Sequence, residues 1–244
     1  NAVAGVCVAG PDSDPNGAGQ PATLVAVNNT AITTILPYLS VSGGTYEIAP
    51  DLPDGLVMDA NTGEISGTPT ETSSNITYTM WSNNTNGDTV PWNFTIEILE
   101  DSDGDGLPNE LPGDYDPTNP DSPGLTEDLD DDADGVPDTN ETDTGTNPTN
   151  PDTDGDGMCD GPNAVGGVCT AGPDAFPLDP SADTDTDGDG MPDSIDGSST
   201  SVPPLMEDED DDGDGLDDVN ETGTGINNGP TDTGTDPLDP DTDN

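Results

Sequence analysis

No lysine, arginine or histidine stands anywhere in this 244-residue chain, yet it carries 54 aspartates and glutamates, for a net charge of −54. Carboxylates gathered into a compact fold need a positive partner, because an uncompensated buried charge costs more than packing returns. The neutralising charge must therefore come from outside the chain. The same imbalance excludes whole classes of function. Nucleic acids and anionic membranes are held mainly through Lys and Arg contacts to phosphate, so neither is an expected partner. Acid–base and nucleophilic enzymes draw mostly on His, Lys or an activated Cys or Ser, and the first two are missing. No enzyme activity is expected. A metal-assisted hydrolase built only from carboxylates is the remaining catalytic alternative, and no cleft-forming pattern surrounds the Asp clusters.

The acids are unevenly spread: eleven of the 54 precede residue 101 and 43 follow it. Both tryptophans and most other aromatics lie on the N-terminal side, so only that part can build an ordinary hydrophobic core. Between residues 20 and 100 short β-type runs alternate with turn chemistry: "ATLVAV", "AITTIL", "TYEIAP", "NITYTMW" and "VPWNFTIEIL", separated by "SGG", "PDG", "NTG" and "NNTNGD". In the last run Val90, Trp92, Phe94, Ile96 and Ile98 alternate with polar neighbours, as a strand with one buried face should. About eighty residues of this kind predict a small antiparallel sandwich.

Within it, residues 48–71 read "IAPDLPDGLVMDANTGEISGTPTE". The Leu-Pro-x-Gly-Leu and Thr-Gly-x-Ile-x-Gly-Thr-Pro phrases resemble the immunoglobulin-like, cadherin-like domains repeated in prokaryotic surface proteins. The resemblance implies a β-sandwich used as a spacer or adhesive module. Core packing is the expected role of Trp81 and Trp92, with a sugar-stacking platform as the alternative.

From Asp101 onward one phrase recurs, with acids at positions 1, 3 and 5, Gly at 6, an apolar residue at 7 and a carboxylate or Asn at 9. Five complete copies are Asp101, Asp103, Asp105, Leu107, Asn109; Asp130, Asp132, Asp134, Val136, Asp138; Asp152, Asp154, Asp156, Met158, Asp160; Asp185, Asp187, Asp189, Met191, Asp193; and Asp210, Asp212, Asp214, Leu216, Asp218. Calcium explains each place: a hard cation takes six to eight oxygens, and a tight loop can aim alternate side chains and the position 7 carbonyl at one point. A carboxylate at position 12, suited to bidentate binding, occurs as Glu141, Asp196 and Glu221, whereas the first copy has Pro112 and the third Asn163. Glu110, Asp114 or water would complete those two. An acidic solvating tail would scatter its acids without this register.

The flanks "TGTNPTNP", "ELPGDYDPTNPDSPG" and "INNGPTDTGTDPLDP" lack the apolar helical stripe of an EF-hand. With so little apolar surface this half should be disordered as a bare polyanion, and bound calcium would have to act as its core. Five sites each held at 100 times their dissociation constant would supply on the order of 10 kcal/mol. Here the chain resembles thrombospondin type 3 repeats, over residues 101–244, with "DAFPLDPSADTDTDGDGMPD" especially similar to prokaryotic versions. That resemblance implies a calcium-stiffened rod with little regular secondary structure.

Cys159 and Cys169 are ten residues apart beside the third phrase. Zinc would need four ligands and no His is available, so a disulfide is expected, and with it an oxidising extracellular setting. Cys7 is then the odd one: "NAVAGVC" at the start matches "NAVGGVC" at residues 163–169. "DPDTDN" at the end, with Asp241 and Asp243 as the start of a sixth phrase, matches "NPDTDG" at 150–155. These echoes predict one period of a longer array, or a subunit whose ends meet its neighbours' ends. Asn-x-Ser/Thr sequons at Asn28, Asn75, Asn83, Asn93, Asn140 and Asn220 suit a secreted surface. No apolar run approaches the roughly 18 to 20 residues that span a bilayer.

The fold class expected is mainly β: the end of a calcium repeat at 1–19, an Ig-like sandwich at 20–100 and an irregular calcium-organised rod at 101–244. The function expected is an extracellular filament, fibre or stalk subunit that joins copies of itself head to tail, with residues 22–27 as a candidate donor strand. The alternatives are an adhesin whose sandwich binds a glycan or protein, and a calcium store.

Overall fold

The computed structural model describes residues 22–32, 34, 44–83, 89–113, 115 and 124–241. Cys7, Asp114, Asp243 and the expected repeat remnant at 1–19 lie outside these residues. The chain divides into two compact units, Asn1–Asp131 and Asp132–Asn244. The first Asp phrase, at 101–109, thus belongs to the same unit as the strands.

The first unit is a β-sandwich. Its larger sheet runs in the order β1 (Ala22–Val27), β6 (Thr89–Leu99), β5 (Ser73–Asn83), β2 (Thr45–Ala49), and β3 (Leu56–Met58) pairs with β4 (Ile65–Gly67) in a second sheet. The long pair β5–β6 sets the register, with Tyr78 opposite Phe94 and Met80 opposite Trp92. Period-two alternation puts these four, with Ile96 and Ile98, on one face. Leu56 and Ile65 of the second sheet pack into the same cluster, with Leu24, Ala26, Ile32 and Tyr46. Gly55 and Gly67 allow the two chain segments to cross: both have positive φ, and a Cβ on either would strike backbone carbonyl oxygen of the other segment.

Three expectations change. The sandwich is not wholly antiparallel: β1 lies parallel to β6, from Ala22 opposite Phe94 to Val27 opposite Leu99. A parallel neighbour needs a long crossover, and here β2 to β5 intervene between the two strands. The run at 31–36 forms no strand where it is described; Ile32 instead donates its N–H to Gly67 O at 2.9 Å and buries its side chain. Finally, the two tryptophans part company. Trp92 packs against the core and stacks on Phe94 at 4.7 Å between ring centroids. Trp81 falls on the opposite face, half-buried, between Glu47 of β2 and Pro91 of β6.

The second unit has no such core. Among its described residues the buried apolar side chains, prolines aside, are Cys159, Cys169 and Ala182, while Asp132, Asp134, Glu141, Asp152, Asp160, Asp174, Asp179, Asp211, Asp212 and Glu221 are all buried. Loops carry nearly all of it. The one α-helix among the described residues is α1 (Asp138–Thr144), closed by Gly145, whose N–H donates to Glu141 O. Its one buried residue is Glu141.

The two kinds of core predict different responses to mutation. Ile65→Ala should lower unfolding free energy of the sandwich by about 2–5 kcal/mol, and exposed Val57→Ala by less than about 0.5 kcal/mol. Denaturant titration followed by tryptophan fluorescence, to which Trp92 contributes from the core edge, measures both.

Candidate metal centres

Each Asp phrase folds into the same loop, built by its own side chains. The position 3 carboxylate accepts the N–H of position 5: Asp103 from Asp105 (2.9 Å), Asp132 from Asp134 (3.2 Å), Asp154 from Asp156 (3.2 Å), Asp187 from Asp189 (2.9 Å) and Asp212 from Asp214 (3.1 Å). The position 5 carboxylate accepts from position 7 in turn, at 2.7 to 2.9 Å, in Leu107, Val136, Met158, Met191 and Leu216. Position 1 holds the glycines: Asp101, Asp152 and Asp185 each accept from Gly at positions 4 and 6. The position 6 glycines all have φ between 94° and 102°, where an L side chain would be strained. These bonds turn alternate carboxylates toward one another. Asp101, Asp103 and Asp105, and likewise 130/132/134, 152/154/156 and 185/187/189, each bring three ligand oxygens within 4.8 Å, so several Asp-rich groups could hold a metal ion.

Position 9 also has partners within its own loop. Asn109, Asp160, Asp193 and Asp218 accept hydrogen bonds from position 2 of their own loop: from Ser102, Thr153, Thr186 and Asp211. Position 12 splits. Glu141 and Glu221 are buried, whereas Asp196 is exposed. Asp241 is exposed as well.

Loops are also joined to one another. Asp134 and Glu141 of the second phrase meet Asp160 of the third in a buried three-carboxylate group within 4.8 Å. Both Glu141 oxygens and Asp134 Oδ2 are shielded and meet no donor. A second kind of link reaches backward. Asp128 and Asp208 lie two residues before the second and fifth phrases, and their N–H groups donate to Pro108 O and Pro192 O, both at 2.9 Å. Asp128 thereby adds its charge to that of Asp105 and Asp101 around Asp103, whose pKa burial already raises. At Asp187 a hydrogen bond from Asp189 is outweighed by burial and by the charges of Asp189, Asp208 and Asp185. The sequence carried a signal for this pair: "ED-x-DDD" precedes both phrases, as Glu127 to Asp132 and Glu207 to Asp212.

The electrostatic consequence is strain of one sign. Burial, then Asp132, Asp134 and Asp160, push Glu141 up to about 8, with only a weak opposing effect of Thr146. Asp211 rises to about 7 through burial and the charges of Asp218 and Asp193. Asp154 rises to about 6 through burial and Asp156. Asp174, absent from the sequence-based site, rises to about 7 through burial and the charges of Asp156, Asp154 and Asp160. Asp179 is the contrast. Burial alone would raise it, but hydrogen bonds from Ser199, Ser201, Thr200 and Ser181 hold it well below the usual carboxylate range. The carboxylates thus divide by how many donors the chain supplies, and the Asp-rich groups that keep oxygens without one could hold a metal ion.

Residues 14–99 match the family model described as "Putative Ig domain", so this part of the chain is an Ig-like domain. Such a domain suggests a surface or adhesion type of protein. Among solved structures, a putative alpha-galactosidase from Bacteroides fragilis is similar at 24% identity over 33% of this chain and 16% of its own, with a TM-score of 0.26. The first Ig-like domain of human CD48 antigen is similar at 12% identity over 40% of this chain and 95% of its own, with a TM-score of 0.28. The matched region thus spans a small part of the galactosidase. A search of curated proteins finds no match. No helix among the described residues is long and apolar enough to cross a membrane.

These shifts fix a pH dependence. For a carboxyl whose folded pKa is raised, the ordered form is favoured below the unfolded value, near 4, and that advantage is lost as pH rises through the folded value, here about 6 to 8. Metal-free protein should therefore be more compact near pH 5 than at pH 8, by small-angle scattering. With saturating calcium the trend should vanish.

Proposed function

We propose that this chain is a structural protein of the cell exterior, in which an Ig-like sandwich is joined to a calcium-stiffened stalk or filament segment that associates with copies of itself. The observation that carries the reading is the group Asp134, Glu141 and Asp160: three buried carboxylates from two phrases, with no base in the chain to neutralise them. Calcium at these loops converts repulsion into cross-linking, and the similarity of residues 101–244 to thrombospondin type 3 repeats supports that cation. The second phrase meets the third through Asp134, Glu141 and Asp160, and Asp208 ties the fifth to the fourth, which supports stiffness that builds between neighbouring loops as in other repeat proteins. The extracellular setting supports both calcium supply and the Cys159–Cys169 disulfide. No catalytic role is proposed.

A second reading is favoured by Trp81, which stands outside the core on the outer sheet face beside exposed Glu47. In that reading the sandwich is an adhesin that stacks a sugar ring and the Asp loops display it.

Electron microscopy of the native material with and without a chelator, at fixed ionic strength, tests the proposal. Regular fibres or straight stalks that soften on chelation and re-form with calcium but not sodium are expected. Glu141→Gln should raise the calcium needed for re-formation by about tenfold. Particles unchanged by chelation would overturn the structural reading, and loss of glycan-array binding in Trp81→Ala would then establish the adhesin.

A further inference from the structure

Asp174 lies fourteen residues beyond the last aspartate of the third phrase, too far for any loop spacing to assign it there. The chain brings it back. Residues 169–174 run beside 157–161: Met158 and Thr170 form a parallel bridge, Cys159 N donates to Thr170 O (2.9 Å), Thr170 N to Gly157 O (2.8 Å), Gly172 N to Gly161 O (3.2 Å) and Asp174 N to Cys159 O (2.9 Å). The approach is so close that a Cβ on Gly172 would strike the Cys159 carbonyl oxygen. The disulfide closes this return, with its Cα atoms 5.1 Å apart and Cys159 fully buried.

The returning carboxylate is 6% exposed. Its Oδ1 accepts the Phe176 N–H at 2.7 Å, while Oδ2 is shielded and meets no donor. Asp154 Oδ2, in the loop whose Asp154, Asp156 and Asp160 charges reach Asp174, is shielded and unmet in the same way. The third phrase also lacks an acid at position 12. Asn163 stands there and is turned to the preceding phrase, its N–H on Asp134 O at 2.7 Å. A ligand place in the third loop is thus unfilled by its own phrase and faced by a buried, undonated carboxylate from elsewhere.

We propose that Asp174 is a calcium ligand of the third Asp loop, and that the Cys159–Cys169 disulfide is the positioning element that holds it there. The proposal rests on the reading of these loops as calcium sites. It makes the third loop unlike the others: its affinity is set by a covalent bond remote from the ligand oxygens of Asp152, Asp154 and Asp156.

Calcium titration of the full chain, followed by the amide resonances of Gly155 and Gly157 as reporters of the third loop and of Gly188 and Gly190 as reporters of the fourth, tests it. Asp174→Asn keeps the oxygen that Phe176 uses and removes the charge. It should raise the calcium midpoint at Gly155 and Gly157 by about tenfold or more and leave Gly188 and Gly190 unmoved. The Cys159→Ser/Cys169→Ser variant should raise the same midpoint, and adding Asp174→Asn to it should cost little more, because the carboxylate is already displaced. Unchanged midpoints at Gly155 and Gly157 in Asp174→Asn, or full additivity of the two changes, would overturn the proposal. Absence of any calcium-dependent shift at all four glycines in the unaltered chain would overturn the calcium reading beneath it.

Discussion

Carboxylates brought within 4.8 Å of one another repel, and in this chain nothing of opposite sign is available to them. Everything in the Asp-rich region follows from how that repulsion is handled. Backbone N–H groups meet it first, since each loop spends its own amides on its own aspartates and so fixes the direction in which the remaining lone pairs point. That arrangement costs little in sequence, needing only alternate acids and a glycine that tolerates positive φ. It leaves the oxygens oriented but not neutralised, which is the condition a hard divalent cation satisfies. Glu141 takes this furthest, because a single turn of helix carries it into a place where neither of its oxygens meets a donor.

The two units solve the folding problem with different currencies of cohesion. In the sandwich, Tyr78, Phe94, Ile65 and Ile96 are sealed from water, and the stabilisation grows with apolar area in the ordinary way. Beyond residue 131 burial is achieved mostly by acids, and its worth depends on solution conditions rather than on packing. Asp179 shows a third device. Four hydrogen bonds from Ser199, Thr200 and Ser201 to the Asp179 carboxylate tie residues 199–201 to the 179–181 turn without any ion, and Ser181 donates to the same carboxylate. That clasp draws on the chain's own donors alone.

Periodic features were legible in the sequence. The five Asp loops share the hydrogen bonds of positions 3 and 5 because their spacing is the same, and the alternation in 90–98 placed Phe94, Ile96 and Ile98 correctly in the core. What was not legible depends on contacts far apart in sequence. β1 pairs parallel with β6 because the first and last strands meet across the whole domain. Trp81 and Trp92 look alike as aromatics in strands, and only the β5–β6 register puts them on opposite faces. Asp174 reaches its neighbours through a disulfide return that no local spacing encodes. Position 9 has a partner that its spacing does not announce: in four loops its side chain accepts from position 2 of its own loop, and Asp160 does so while also meeting Asp134 and Glu141.

The links between loops are of two kinds that do not interchange. A backward-reaching acid, Asp128 or Asp208, joins the second phrase to the first and the fifth to the fourth, whereas Asp134 and Glu141 reach forward to Asp160 to join the second to the third. The acids that make these links lie in or just before the second and fifth phrases, so the phrases are not equivalent: loss of the second would remove Asp134 and Glu141 from beside Asp160, and loss of the fourth would take from Asp208 the acceptor Pro192 O.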